Sequence, residues 1–144
     1  MNKVLFIILL VFSSLNSCVS DRHFKKVEPY YLFHDNSSKV WLINHVYKNG
    51  KDEVPLSMKF KKIFVFHKTR NCYMYQTSDL NENQGKKGNF SLDIANKKLE
   101  INFKNVDWNF EIESLSEEKI LLKSIKGEKD SSFYKMELIS FPEF

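Results

Sequence analysis

The sequence predicts an all-β domain, an eight-stranded antiparallel up-and-down barrel that follows an N-terminal signal segment. Three observations predict it. From Val40 onward apolar residues recur at every second position, the spacing of a strand with one dry face. The runs are short, mostly at roughly 8 to 12 residue spacing, and joined mostly by short polar turns, as in barrels and sandwiches. No stretch of helical periodicity is long enough to carry a crossover between parallel strands. Composition agrees with a single core: of 144 residues 42% are hydrophobic and 15% aromatic, and 13 Phe, 6 Tyr and 2 Trp require one dry interior. With 4 Gly and 3 Pro the chain is neither collagenous nor linker-like.

The elements follow in order. Val40 to Tyr47 is the first strand, ended by the turn signal Lys48-Asn49-Gly50. Phe60 to His67 and Cys72 to Gln76 are the second and third, joined by the polar hairpin Lys68 to Asn71. Asn89 to Ile94 and Leu99 to Phe103 alternate most cleanly, and Trp108 to Glu113 repeats the pattern. The Ser116-Glu117-Glu118 turn leads into Ile120 to Lys123, and after Lys126 to Asp130 the run Phe133 to Phe141 is the last strand. Two connections are longer, Gly50 to Lys59 and Thr77 to Lys87. The second is the least patterned part of the barrel, a surface hairpin or a polar recognition loop. The inward positions are Trp41, Ile43, Phe64, Phe66, Tyr73, Tyr75, Phe90, Leu92, Leu99, Ile101, Trp108, Phe110, Ile112, Ile120, Leu122, Met136 and Leu138. An eight-stranded barrel is either filled by such side chains or left with room for one small ligand.

The first residues form a class apart. Lys3 precedes the apolar run Val4 to Phe12, whose nine residues are too few to span a bilayer and match the apolar region of a signal peptide. Leu15-Asn16-Ser17-Cys18 then resembles a bacterial lipobox: Leu15 in third place before the cysteine, Ser17 small enough for the peptidase, and Cys18 as the residue that receives the lipid, a palmitate-type acyl chain included. Asn16 is bulkier than usual there, a looseness similar to that of Bacteroidetes lipoproteins. The expected organisation is a signal peptide over 1–17, a lipidated tether and barrel-closing segment over 18–38, whose aromatic half (Tyr30 to His34) packs across an open barrel end, and the barrel over 39–144. Removing Lys3 takes the formal charge from +4 to +3. With Cys18 acylated, Cys72 has no disulfide partner and reads as a buried, inert thiol.

The order of Val40-Trp41-Leu42-Ile43, Asn49-Gly50, Ile63-Phe64-Val65-Phe66, Tyr73, Gly88 to Asp93, Leu99-Glu100-Ile101 and Ile112 to Ser116 resembles the lipocalin-like lipoproteins of the Bacteroidetes type, over about residues 39 to 141. The resemblance implies a small lipid-anchored barrel and no particular activity. Two positions depart from the lipocalin pattern. Lys39 stands where the pattern has a glycine two before the tryptophan, and Lys135 is the only basic residue in the final strand, where the pattern has an arginine that stacks on the tryptophan.

Chemistry is sparse. His23, His34, His45 and His67 fall in four separate segments, without metal-ligand spacing. Serine nucleophile elbows and phosphate loops are absent, and Gly85-Lys86-Lys87-Gly88 has neither the length nor the ending of the latter. Asp79 and Glu82 share a loop with no apolar pocket to raise a pKa. The mild positive charge forms no stripe, so nucleic acid is not an expected partner. The expectation is a non-catalytic module without cofactor, held at the periplasmic face of the outer membrane through Cys18, since only Asp21 follows the cysteine as an acidic export signal would. It binds a small apolar ligand through Trp41, Ile43, Phe64, Phe66, Tyr73, Tyr75, Phe90, Trp108 and Phe110, or else binds a partner protein as an inhibitor or immunity lipoprotein.

Overall fold

Alternating strands cannot each bury their dry face alone, and here they bury it in one closed sheet. The computed structural model describes residues 28–82, 85–125 and 134–141. The expected signal peptide, Cys18 with the first part of the tether, His23, and the Lys126 to Asp130 turn lie outside the described residues. Helix α1 (Pro29–His34) comes first, with Pro at the start of the helix, where its missing N–H costs nothing. Asp35 and Asn36 end it at φ 47° and 64°.

The strands are β1 (Ser38–Lys48), β2 (Lys51–Asp52), β3 (Lys62–His67), β4 (Asn71–Gln76), β5 (Lys86–Asp93), β6 (Lys98–Phe103), β7 (Val106–Leu115), β8 (Lys119–Ser124) and β9 (Tyr134–Ser140). Each pairs antiparallel with its sequence neighbour from β3 to β9, and β1 pairs with both β3 and β9, which closes an eight-stranded up-and-down barrel. All eight expected strands are present. The two-residue β2 was not expected; it hairpins onto the end of β1 through Asn49 and Gly50, whose positive φ values of 51° and 81° give the turn that matches strand twist. The expected start of the second strand is corrected: Met58–Phe60 forms a 3-10 turn, and the strand begins at Lys62.

Two bulges set which residues face inward. β1 slips register between Ile43 and His45 against β9, and β7 slips between Ile112 and Ser114 against β8. Beyond each slip the parity reverses, so Val46 and Leu115 point into the barrel. The interior is one cluster of buried residues from every long strand together with Phe33 from α1. Trp41, Phe64, Phe66, Leu99, Ile101, Ile120, Leu122 and Leu138 are 0% exposed, so no water-sized gap touches them.

Tyr73 and Tyr75 correct the expected inward set. Across β3 and β4, Phe66 faces Cys72 and Phe64 faces Met74, whereas Tyr73 lies opposite Val65 and Tyr75 opposite Ile63 on the outer face. The run Cys72-Tyr73-Met74-Tyr75 is apolar in both parities, and the neighbour's register selects the smaller pair. Outside, the two Tyr rings stack at 6.1 Å. Phe66→Ala is expected to cost about 3–5 kcal/mol of unfolding free energy and Tyr73→Ala less than about 1.5 kcal/mol, read from denaturant midpoints; equal costs would put Tyr73 back in the core.

Candidate functional site

The two ends of the barrel differ. At one end the β3–β4, β5–β6 and β7–β8 turns surround α1, and the chain enters there. Phe33 drives into the core, edge-on to Phe66 at 5.4 Å and stacked near Phe90 at 6.2 Å. Its carbonyl accepts a hydrogen bond of 3.1 Å from the buried Trp41 Nε1. Tyr30 Oη donates to the Lys68 carbonyl at 3.2 Å, and Lys68 N donates to the Ser37 carbonyl at 2.8 Å. α1 thus forms a plug, fastened by a ring, an indole and two hydrogen bonds to its frame.

Lys39 takes the place expected of Lys135. Its Nζ lies 4.6 Å over the Trp41 ring and donates to the Glu117 carbonyl at 2.6 Å. Lys135 instead pairs with Glu113 at 2.6 Å on the outer face. The cation over the tryptophan therefore comes from Trp41's own strand, at the position where the resembling family has a glycine.

At the opposite end no α-helix among the described residues covers the barrel, and part of the interior there is half-buried. Trp108 lies edge-on to Phe64 at 5.9 Å and to Phe103 at 5.6 Å, and Val46, Val54, Phe103 and Trp108 are partly buried against the core. Phe103 sits over Gly88, where a Cβ would stand 2.8 Å from its ring and 2.5 Å from the Asn102 carbonyl, so the glycine makes room for the aromatic. Asp52 fastens the loop that leans in with Val54: its carboxylate meets His45 Nδ1 at 2.6 Å and accepts from Val46 N and Val54 N at 3.1 Å each. The hydrogen bond from His45, with those from the backbone, holds the Asp52 carboxyl below its usual range.

Of the expected interior residues, Trp41, Phe64, Phe66 and Phe90 are packed shut near the plug and in mid-barrel. Ile43 and Phe110 are buried beside them, and Trp108 alone among these nine combines an inward position with partial exposure. Tyr73 and Tyr75 stand outside. The residues that join Trp108 at the open end were not in the expected set. Phe103 shares the parity of Leu99 and Ile101 and was legible by extending the alternation one step; Val46 was hidden by the β1 bulge. The Thr77 to Lys87 loop, expected as a surface hairpin or a recognition loop, is in part a 3-10 helix, Thr77–Glu82, tied to the Met58–Phe60 turn by Thr77 N donating to the Lys61 carbonyl at 2.9 Å and by Thr77 Oγ1 donating to the Met58 carbonyl. Lys86 and Lys87 belong to β5.

Chemical groups elsewhere are muted. Burial pushes the Cys72 thiol up to about 11, so almost none of it is thiolate at neutral pH. Among the described residues no group of three His, Cys, Asp or Glu stands close enough to hold a metal ion. Comparison with protein-family models and with curated proteins finds no match to this chain.

His34 is the one buried polar residue among the described ones, 1% exposed, with neither ring nitrogen hydrogen-bonded. Tyr30 and Tyr31 pack on its ring at 4.6 and 5.5 Å. Burial lowers its pKa from the ordinary 6.5, with Lys68 pushing the same way and the backbone and Asp35 opposing. The folded chain therefore holds His34 neutral while the unfolded chain protonates it, so stability falls as pH drops below about 6.5 and continues to fall down to the lower folded pKa. Urea unfolding between pH 7 and 5 is expected to show that loss, with a slope of up to about 1.4 kcal/mol per pH unit, and His34→Phe is expected to flatten it; an unchanged slope would assign the loss to other groups.

Proposed function

We propose that this chain is a lipid-anchored, non-catalytic binding barrel of the cell envelope. Cys18 attaches it to the outer membrane, with the periplasmic leaflet favoured, and its open end takes a small apolar ligand. The half-exposed Trp108, backed by Phe103 and Val46 above a solid, plugged core, is the observation that carries the ligand reading. Apolar walls with few polar groups suit an apolar molecule. The packed lower barrel moves the contact surface from the deep interior to the open end, so Trp41, Phe64 and Phe66 act as support for the site and Trp108 touches the ligand. Muted side-chain chemistry, with the thiol buried and no cluster that could hold a metal among the described residues, favours binding over catalysis.

The second reading is a protein-interaction lipoprotein, such as an enzyme inhibitor or immunity protein. What favours it is the same dense interior, since a filled barrel leaves its loops as the recognition surface.

Cells fed a clickable fatty acid are expected to label the protein, and Cys18→Ala to abolish the label; a label that persists removes the anchor. An apolar fluorescent probe is expected to bind saturably, with affinity falling about tenfold or more in Trp108→Ala, since losing a buried ring contact of about 1.4 kcal/mol is a factor of ten. Absence of saturable binding decides for the protein partner.

A further inference from the structure

Exposed apolar side chains are unevenly placed on this barrel. Among the described residues, nine large hydrophobics are exposed, and only Tyr31 and Ile94 belong to the plugged end. At the open end Leu56 is fully exposed, Met58 is 43%, Phe60 51% and Leu80 42% exposed, and Val106 and Ile125 join them from two further connections. Leu56, Met58 and Phe60 follow one another on the β2–β3 loop, and Leu80 lies on the 3-10 helix bonded to that loop. None of these residues belongs to the buried core cluster, so the core does not require them to be apolar.

Lysines stand among them. Lys51, Lys59, Lys62, Lys86, Lys87 and Lys104 are exposed at the same end, Lys59 with its Nζ 5.8 Å over the Phe60 ring. The acids at that end among the described residues are Asp52, which faces His45 at 2.6 Å, Glu53, Asp79, Glu82 and Asp107, so the six exposed lysines outnumber five carboxylates.

We infer that the open rim of the barrel is a docking surface for an anionic lipid bilayer, with Leu56, Met58, Phe60 and Leu80 entering the interface and the surrounding lysines meeting lipid phosphates. A second copy is the poorer occupant, because a two-fold contact through this rim brings together two surfaces that carry the same lysine excess. A bilayer accommodates the observed arrangement, because the apolar tips come from separate connections around a ring and need a fluid apolar layer, while long lysine stems let the ammonium groups stay at the headgroups. The inference stands without the Cys18 anchor and without the ligand, since it rests on side chains outside the barrel interior.

The test uses residues 19–144, which contain the whole plugged barrel and lack both the apolar signal run and Cys18, with circular dichroism and thermal melting to check each protein. Flotation with phosphatidylglycerol–phosphatidylcholine vesicles is expected to carry the protein up, at least about tenfold more than with phosphatidylcholine alone. Binding is expected to weaken when salt is raised to about 0.5 M. Leu56→Ser with Phe60→Ser, and separately Lys59→Glu with Lys62→Glu, are each expected to lower partitioning about tenfold or more, while Tyr31→Ser with Ile94→Ser at the plugged end leaves it unchanged. Should a double variant fail to fold, Leu56→Ser alone, at a fully exposed position, carries the apolar test. Failure to float with anionic vesicles, equal flotation with neutral ones, or indifference to the rim substitutions overturns the inference, and the first of these leaves an acidic protein as the occupant.

Discussion

Closure of the barrel rests on one strand that pairs on both sides. β1 is eleven residues long, about 36 Å of extended chain, and gives its first half to β3 and most of its length to β9. Trp41 and Leu42 are paired on both flanks at once, Trp41 with Phe64 and Ser140, Leu42 with Ile63 and Ile139. Without this double engagement β3 and β9 would be open edges, and the apolar inner face of the sheet would have no opposite wall. The bulge after Ile43 belongs to the same device: it bends the strand and re-aims its second half, so β1 can leave β3 and still follow β9. At that bulge Asn44 Nδ2 donates to Glu137 at 2.8 Å while Lys61 Nζ donates to Asn44 Oδ1 at 3.2 Å, which holds β9, β1 and the start of β3 together from outside.

Because Trp41 sits at the doubly paired point, it is also where the plug fastens. Its indole N–H can be buried only if something accepts its hydrogen bond, and the Phe33 carbonyl at the end of α1 does so. The same ring carries Lys39 above it, and Lys39 reaches the β7–β8 turn. One side chain thus connects the closing strand, the helix and a distant turn. Among the described residues the other end has no comparable fastening: the Asp52 clasp and Thr77 hold two loops in place, yet Val54 and Trp108 stay only partly buried. Fold and proposed site are linked by this asymmetry, since a barrel shut at one end by its core tryptophan leaves its other end for the proposed ligand.

The strands were legible because alternation with period two is a direct consequence of pleated geometry, and the turns because Asn49-Gly50 and the Ser116 to Glu118 run favour tight reversals by their own backbone and side-chain chemistry. Errors arose where sequence alone cannot count. Each bulge reverses inside and outside for the rest of its strand, which hid Val46, and β4 carries apolar residues on both faces, which let Tyr73 and Tyr75 pass for interior. Lys39 over Trp41 was illegible for a different reason, since a cation and a ring on one strand say nothing of whether the stem curls back.

The sequence by itself determined that this is an antiparallel all-β chain with one aromatic core, because hydrophobic periodicity and turn chemistry are local properties. Tertiary structure decided how that core is used. Register, two bulges and the Trp41–Phe33 hydrogen bond fill the lower barrel and leave Trp108 at the rim, and the closed topology gathers Leu56, Met58, Phe60 and Leu80 with lysines from separate connections at one end. No local rule contains that information, for it depends on which residues, far apart in the chain, the closing strand brings side by side.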